Sequence, residues 1–132
     1  MIAVIDVSAA VEIILKKEKS NIFNNQLLQA SWVIAPDLYH SEISNVLWKC
    51  FRAKIVTHEE SLQYTEEGIL IIDDFTSGSE LWKESLGEGI KFNHSIYDMF
   101  YAVLARRNDA ILITNDNKLA KIAQEMKIEV CI

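Results

Sequence analysis

Proline and glycine are scarce in this chain, whose 132 residues include one proline and four glycines. Such a composition excludes collagen-like repeats and argues against disorder and flexible linkers. No apolar run reaches the roughly 20 residues of a membrane-spanning helix, so we expect no membrane association. The apolar N-terminus lacks the basic segment and cleavage site of a signal peptide. Length and even composition predict one domain over residues 1–132.

Cysteine is equally sparse, and no metal-binding motif of histidine or cysteine is present. Cys50 and Cys131 lie far apart without C-x-x-C spacing, which indicates neither a zinc site nor a disulfide framework and predicts a reducing, cytoplasmic location. His40, His58 and His94 show no ligand spacing, and we expect surface or helix-cap roles for them. No glycine-rich phosphate loop occurs.

The apolar segments alternate between strand-like and helix-like patterns. Four continuously apolar runs are typical of parallel strands covered on both faces, and most of the helical patterns lie between them. The predicted strands are 2–5, 32–35, 110–114 and 128–132, and the predicted helices are 8–17, 20–30, 36–53, 57–75, 77–86, 95–107 and 117–127. This order predicts an α/β fold, a mostly parallel sheet between two helical layers.

The alternation is incomplete, because four helical segments fall between the second and third predicted strands. We therefore expect a helical insertion there. Its glycine-containing part, residues 85–92, is predicted as a loop or one more short strand, which gives a sheet of four to five strands. The caps follow from local sequence: Ser8 and Ser20 are expected to cap helices, Thr57 with Glu60 forms a capping box, and the one proline suits a first helical turn.

Four carboxylates stand where the pattern does not favour charge. Asp98 interrupts a predicted helix that is apolar on nearly every side. Glu42 interrupts an apolar row, because the residues four positions before and four positions after it are both apolar. Asp6 closes the first strand, and Asp116 follows the third. Because ligands of open α/β sheets bind beyond the carboxyl ends of the strands, we expect all four to converge.

Carboxylates brought together would repel one another, and a hard divalent cation relieves that repulsion. The residues therefore predict an Mg²⁺ or Mn²⁺ site held by the four acids. Each acid also has a simpler interpretation: Asp98 could form a capping box with Ser95, Asp116 could suit the helix dipole, Asp6 could end a strand by turn chemistry, and Glu42 could be exposed.

Neighbouring polar residues carry weaker signals. Ser8, Thr114 and Asn115 lie beside the acids and either orient them and bind metal waters or act as caps. Asp73 and Asp74 follow an apolar run without a partner acid and are interpreted as a solvated helix end.

Four blocks carry a family resemblance. The segments VIDVSAAV, APDLYHSEISNVLWK, SIYDMFYAVLARR and ILITNDNKLAKIA resemble, in order and spacing, the conserved blocks of the PIN-domain family, and most of all its VapC-type toxin ribonucleases. The resemblance spans essentially the whole chain. It implies a PIN-like three-layer fold and an Mg²⁺- or Mn²⁺-dependent endoribonuclease whose acids fall on Asp6, Glu42, Asp98 and Asp116.

The resemblance also implies partners and a reaction. We expect an RNA substrate, an antitoxin protein and a homodimer, with hydrolysis leaving a 5′-phosphate and a 3′-hydroxyl. The net charge of −6, from 13 basic and 19 acidic residues, opposes nucleic-acid binding, although local charge decides steering. Basic residues that follow the acids are weak candidates for substrate contacts, or ordinary solvated side chains: Lys49, Arg52, Arg106 and Lys118.

Two other classes of protein remain open from the residues. A phospho-accepting signalling domain also collects acids at a sheet edge, but it needs paired acids after the first strand and a lysine ending a late strand. A non-catalytic protein-interaction module could retain the acids as a structural ion site.

Overall fold

The computed structural model describes residues 1–132 and contains five strands and seven helices. In chain order these are β1 (Ile2–Ile5), α1 (Val7–Ile14), α2 (Ser20–Gln29), β2 (Trp32–Pro36), α3 (Tyr39–Arg52), α4 (His58–Leu70), β3 (Asp74–Thr76), α5 (Gly78–Phe92), α6 (Ile96–Arg107), β4 (Ile111–Ile113), α7 (Asn117–Glu125) and β5 (Val130–Cys131).

The five strands form one parallel sheet in the order β3-β2-β1-β4-β5. Every pairing is parallel, and β1 at the centre pairs with both β2 and β4. Register places Ile5 of β1 opposite Ile113 of β4, so the two strands end together. The α/β class and the parallel sheet are therefore confirmed, and the sheet is parallel throughout.

Continuous burial explains why the central strands lack polar alternation. Ala3, Val4 and Ile5 are fully buried, because helices cover both faces of β1. Helix α6 packs against β1, β2 and β4, which accounts for its nearly uniform apolar surface. One cluster of 32 buried residues links these elements.

Strand β3 is not predicted by the sequence patterns, and its presence contradicts two predictions. The predicted helix 57–75 ends at Leu70, and its last residues pair with the edge of β2 instead. The Asp73 carboxylate accepts the Val33 amide at 2.8 Å, and the Asp73 amide donates to the Val33 carbonyl at 2.8 Å. Asp73 and Asp74 are exposed, as predicted, but they are not a helix end, because one pairs with β2 and the other begins β3. The expected four-helix insertion is divided by this strand.

Residues 85–92 are neither a loop nor a strand, since they form the second half of α5. Leu81, Ser85 and Gly89, spaced four apart, are buried and form a stripe along this helix, which packs closely on α6. Packing along that stripe outweighs the weak helix propensity of the two glycines after residue 86. The helix ends at Asn93, whose left-handed backbone (φ 51°) forms the C-cap.

One of the predicted helix starts is confirmed, and three others are wrong. The Thr57–Glu60 capping box is confirmed, with both reciprocal hydrogen bonds present. Asp6 rather than Ser8 caps α1, and Ser20 is the first residue of α2 rather than its cap. The single proline, Pro36, ends β2 opposite Thr76, so α3 begins three residues later than expected.

None of the seven helices is both long enough and apolar enough to cross a membrane. Cys50 and Cys131 are both free thiols.

Substitution by alanine should change the free energy of unfolding in opposite directions at two helical glycines. A Cβ on Gly68 of α4 would lie 2.1 Å from the Ile43 side chain and 2.7 Å from that of Ile14, whereas a Cβ on Gly87 of α5 meets nothing within 4 Å. We expect Gly68→Ala to lower the free energy of unfolding, because overpacking costs about 1–3 kcal/mol. Gly87→Ala should raise it by about 0.5–1 kcal/mol through helix propensity alone. Urea unfolding followed by circular dichroism measures both, and equal effects would contradict the packing at Gly68.

Candidate active site

The four acids singled out in the sequence line one cleft at the carboxyl ends of β1 and β4. The cleft has a volume of about 270 Å³, and two of its acids come from strand ends and two from helices. It is lined by Asp6, Val7, Ser8, Glu42, Asn45, Val46, Asp98, Tyr101 and Asp116. The parallel sheet therefore brings together residues up to 110 positions apart, as expected for ligand sites in open α/β sheets.

Asp6 is the most buried of these acids, with 7% of its surface exposed. Its amide continues the β1–β4 pairing by donating to the Ile113 carbonyl, and its carboxylate caps α1 by accepting the Ala9 amide at 3.0 Å. Both roles follow from its place between a strand and a helix, and Asp6 therefore follows β1 as the N-cap of α1 rather than as part of a turn. Burial raises the pKa of Asp6 to about 6, although hydrogen bonds from Ser8, Thr114 and Ala9 oppose the shift.

Two neighbouring hydroxyl groups hold the two oxygens of the Asp6 carboxylate. Ser8 donates to Oδ1 at 2.6 Å, and Thr114 donates to Oδ2. The two hydroxyls also lie 3.3 Å apart, and each accepts a backbone amide of the loop after β4, from Asn115 to Ser8 and from Asp116 to Thr114. The Asn115 side chain turns away from the acids and donates to Glu12. Ser8 and Thr114 thus contact one of the four acids of the cleft, whereas the Asn115 side chain contacts none of those four.

Glu42 is held by a tyrosine from another helix. The Tyr101 hydroxyl donates to Glu42 Oε1 at 2.6 Å, which ties the first turn of α3 to the middle of α6. Burial raises the pKa of Glu42, the Tyr101 hydrogen bond lowers it, and the charges of Asp98 and Asp6 raise it further. Burial and the Glu42 charge also raise the pKa of Tyr101, which keeps its hydroxyl protonated and able to donate.

Asp98 is held by a histidine rather than by the expected cap. Ser95 is the N-cap of α6 but makes no capping hydrogen bond with its side chain, so the predicted alternative of a capping box is not formed. Instead His94 Nε2 lies 2.8 Å from Asp98 Oδ2, and the exposed fractions of the two side chains are 15% and 29%. Burial raises the pKa of Asp98, the His94 hydrogen bond lowers it, and the Asp116 charge raises it. The surface or cap role predicted for His94 is therefore wrong.

Asp116 combines a helix-capping role with a place in the cleft. Its Oδ1 accepts the amides of Lys118 and Leu119 at 2.9 and 3.2 Å, so it is the N-cap of α7. The helix-dipole interpretation is therefore satisfied, and it does not remove Asp116 from the cleft.

Three of the acids share a pattern that suits a cation. Glu42, Asp98 and Asp116 each use one oxygen to accept a protein hydrogen bond, while the other oxygen has no protein donor. No group of three or more aspartate, glutamate, histidine or cysteine side chains is arranged to hold a metal ion directly. Mg²⁺ usually keeps several waters and binds proteins through one or two carboxylates, so an all-oxygen set of this kind fits it.

The basic candidates lie on helices that carry or follow the acids, and several have other partners. Arg106 forms ion pairs with Glu84 and Glu88 of α5, at 3.6 and 3.2 Å. Arg52 stacks over the Trp48 ring at 4.9 Å. Lys49 and Lys118 are exposed without an ion pair. A role for any of these four in substrate binding stays a prediction.

Sequence reasoning missed the side chains that orient the acids. Tyr101 was interpreted as filling an apolar helix, although its position three residues after Asp98 places it on the same side of α6. Asn45 stands three residues after Glu42 and lines the cleft for the same reason. His94 stands four residues before Asp98, but it precedes the first turn of α6, so helix periodicity alone does not place it beside Asp98.

Comparison with known proteins identifies the family of the chain. Residues 3–125 match the profile of the PIN domain. The chain belongs to the PIN-domain family. Ribonuclease VapC3 of Pyrobaculum aerophilum is 28% identical over 120 residues, which cover 89% of this chain and 92% of that relative.

Solved structures share the fold of this PIN domain. The crystal structure of PAE2754 from Pyrobaculum aerophilum superimposes with a TM-score of 0.76 at 19% identity, covering 97% of this chain and 81% of the other. A chain of VapBC2 from Rickettsia felis, solved bound to a DNA fragment from its promoter, gives a TM-score of 0.65 at 16% identity and covers 98% and 97%. The PIN-like fold expected from the sequence is confirmed.

Burial of Asp6 predicts a pH-dependent stability difference. With a pKa of 3.8 when unfolded and about 6 when folded, Asp6 stabilises the fold most when protonated, and this contribution is lost as the pH rises through 6. Between pH 4 and 7.5, Asp6→Asn should therefore gain about 1–3 kcal/mol of unfolding free energy relative to the natural protein. Urea unfolding of both proteins in EDTA measures the difference, and a pH-independent value would contradict the burial of a charged Asp6.

Proposed function

We propose that this PIN domain is a divalent-metal-dependent endoribonuclease that acts as the toxin of a toxin–antitoxin pair. The observation that carries the proposal is the cleft itself, which is lined by four acids from separate segments of the chain. Carboxylates brought together in a half-buried site repel one another, and a bound divalent cation relieves that repulsion. The similarity to a curated ribonuclease over nearly the full length supports RNA as the substrate.

Asp6 and Asp98 are our candidates for direct ligands of Mg²⁺ or Mn²⁺, Glu42 for a ligand or for orienting the attacking water, and Asp116 for completing a second metal position. A bound cation would lower the pKa of a water molecule and neutralise negative charge on the phosphodiester. Ser8 and Thr114 fix the Asp6 carboxylate, and Tyr101 fixes Glu42, so the acids are oriented before substrate arrives.

An apolar groove between α3 and α4 supports the antitoxin partner. The groove has a volume of about 630 Å³, and its lining includes exposed Trp48, Phe51, Leu62 and Leu70. Large exposed apolar side chains in a groove are typical of sites that take the apolar face of a partner segment. The similarity in fold to a chain of the VapBC2 structure is consistent with such a partner.

A separate apolar stripe supports the homodimer. Trp82, Leu86 and Ile90 are spaced four residues apart on α5 and are 53%, 44% and 72% exposed. Spacing of this kind aligns them along one side of the helix, where a second copy of the same stripe would cover them. We propose that two chains meet through α5 and leave the α3–α4 groove free for the antitoxin.

The domain assignment and the location are proposals of the same kind. One cluster of buried residues contains residues from β1 near the start of the chain to Ile128 near its end, which supports a single domain over 1–132. The two free thiols fit a reducing, cytoplasmic compartment.

The proposed activity predicts metal-dependent cleavage of RNA that is largely lost when one carboxylate is replaced. Labelled structured RNA incubated with the protein and Mg²⁺ or Mn²⁺ should be cut, and EDTA should stop the reaction. Asp98→Asn should lower the cleavage rate at least about 100-fold, since it removes a charge that the cation needs. Asp109→Asn is the matched control, because Asp109 is exposed before β4 at the opposite edge of the sheet.

The same assay separates the alternatives. Absence of metal-dependent cleavage over varied RNAs, with Mn²⁺ still bound, would favour a non-catalytic module that keeps an ion site. Incorporation of label from acetyl phosphate would favour a phospho-accepting domain. Two features argue against a phospho-accepting domain: only one acid follows β1, and no lysine stands at the end of β4.

The proposed dimer predicts different effects for two apolar-to-charged substitutions. Ile90→Glu on the α5 stripe should convert a dimer to a monomer, because a buried unpaired charge is costly. Leu70→Glu, on the α3–α4 groove, introduces the same charge at a similarly exposed position and should leave the dimer intact. Sedimentation equilibrium measures the mass, and a monomeric natural protein or a dimer of the Ile90 variant contradicts the proposed interface.

A further inference from the structure

The turn between α5 and α6 holds His94 in a fixed place. Asn93 adopts a left-handed conformation, and the His94 amide donates to the Gly89 carbonyl at 3.1 Å. Gly89 permits this close approach, since a Cβ there would lie 2.2 Å from the Ile96 side chain and 3.1 Å from the His94 carbonyl. The backbone of His94 is therefore packed directly against α5.

From this turn the imidazole reaches Asp98 from outside the cleft. Asp98 lines the cleft, whereas His94 does not. The His94 Nε2 atom lies 2.8 Å from Asp98 Oδ2, and Oδ1 has no protein donor. The two carboxylate oxygens are therefore used differently, one by the histidine and one left to the cleft.

No other protein group holds Asp98. The Ser95 side chain, which a capping box would direct at this region, makes no capping hydrogen bond. Asp6 and Glu42, in contrast, are held by hydroxyl groups from other elements. The orientation of Asp98 thus depends on a single donor four residues earlier in the chain.

We propose that His94 is a positioning residue for Asp98: its Nε2–H donates to Oδ2 and keeps Oδ1 directed at the cation in the cleft. The inference rests on the proposed function, because it assigns a role toward the metal that this function requires. An imidazole behind the carboxylate serves better than a metal-bound imidazole for a hard cation such as Mg²⁺, which prefers oxygen ligands.

Direct measurement of Mn²⁺ affinity tests the role without relying on cleavage. The dissociation constant for Mn²⁺ is measured by electron paramagnetic resonance of the free ion in the natural protein, His94→Leu and His94→Gln. Removing the donor with leucine should weaken Mn²⁺ binding by about 10-fold or more, as for other groups that orient a metal ligand. Glutamine can place an amide N–H near the Nε2 position and should restore affinity to within about 3-fold. His58→Gln, at an exposed histidine on α4, should change nothing.

A second pair of variants guards against a general loss of structure. His94→Asn and His94→Gln are both polar amides, but asparagine is one methylene too short to reach Oδ2. We expect the asparagine variant to lose Mn²⁺ affinity while its melting temperature matches that of the glutamine variant.

The outcomes separate this inference from the proposed function. Equal Mn²⁺ affinity in the leucine, asparagine and natural proteins would overturn the positioning role while leaving the metal-dependent nuclease intact. Loss of affinity in the glutamine variant as large as in the leucine variant would also overturn it, since the donor would then not be what matters. A natural protein that binds no Mn²⁺ and cuts no RNA would overturn the proposed function, and the positioning role with it.

Discussion

The structure depends on a buried carboxylate at the carboxyl end of its central strand. Asp6 is nearly inaccessible, yet it must keep enough hydrogen bonds to remain tolerable inside an apolar core. The protein meets that need with Ser8 from α1, Thr114 from the end of β4 and the first turn of α1 itself. These contacts join the start of the chain to a segment 108 residues later. The network that makes the acid tolerable also fixes the two central strands at the edge where the cleft opens.

The other three acids of the cleft are all oriented in the same way. Glu42, Asp98 and Asp116 are each oriented by a donor to one oxygen, from a tyrosine, a histidine and two helix amides respectively. Burial and mutual repulsion raise the pKa of Glu42 and Asp98, so the site is destabilised by its own charge. A divalent cation bound among these acids would relieve that repulsion and stabilise the fold.

The sequence predicted the acids and their convergence well, because these depend on strand ends and helix periodicity. Asp6 follows an apolar run, and Asp98 breaks an apolar helix, and both signals are local. The failures came from contacts between distant segments. Strand β3 has only three residues and forms because Asp73 pairs with Val33, which no local pattern reveals. Helix α5 was predicted too short, because its glycines weigh against a helix locally and close packing on α6 compensates for them. His94 was missed since its role needs the left-handed turn at Asn93.

The span between Asp6 and Thr114 has a consequence for synthesis of the protein. The first strand leaves the ribosome early, but the hydroxyl that completes the Asp6 site lies in the final fifth of the chain. Until β4 has emerged and paired with β1, the acids have no common edge on which to meet. The cleft therefore stays incomplete in the nascent chain until almost the whole polypeptide has been synthesised.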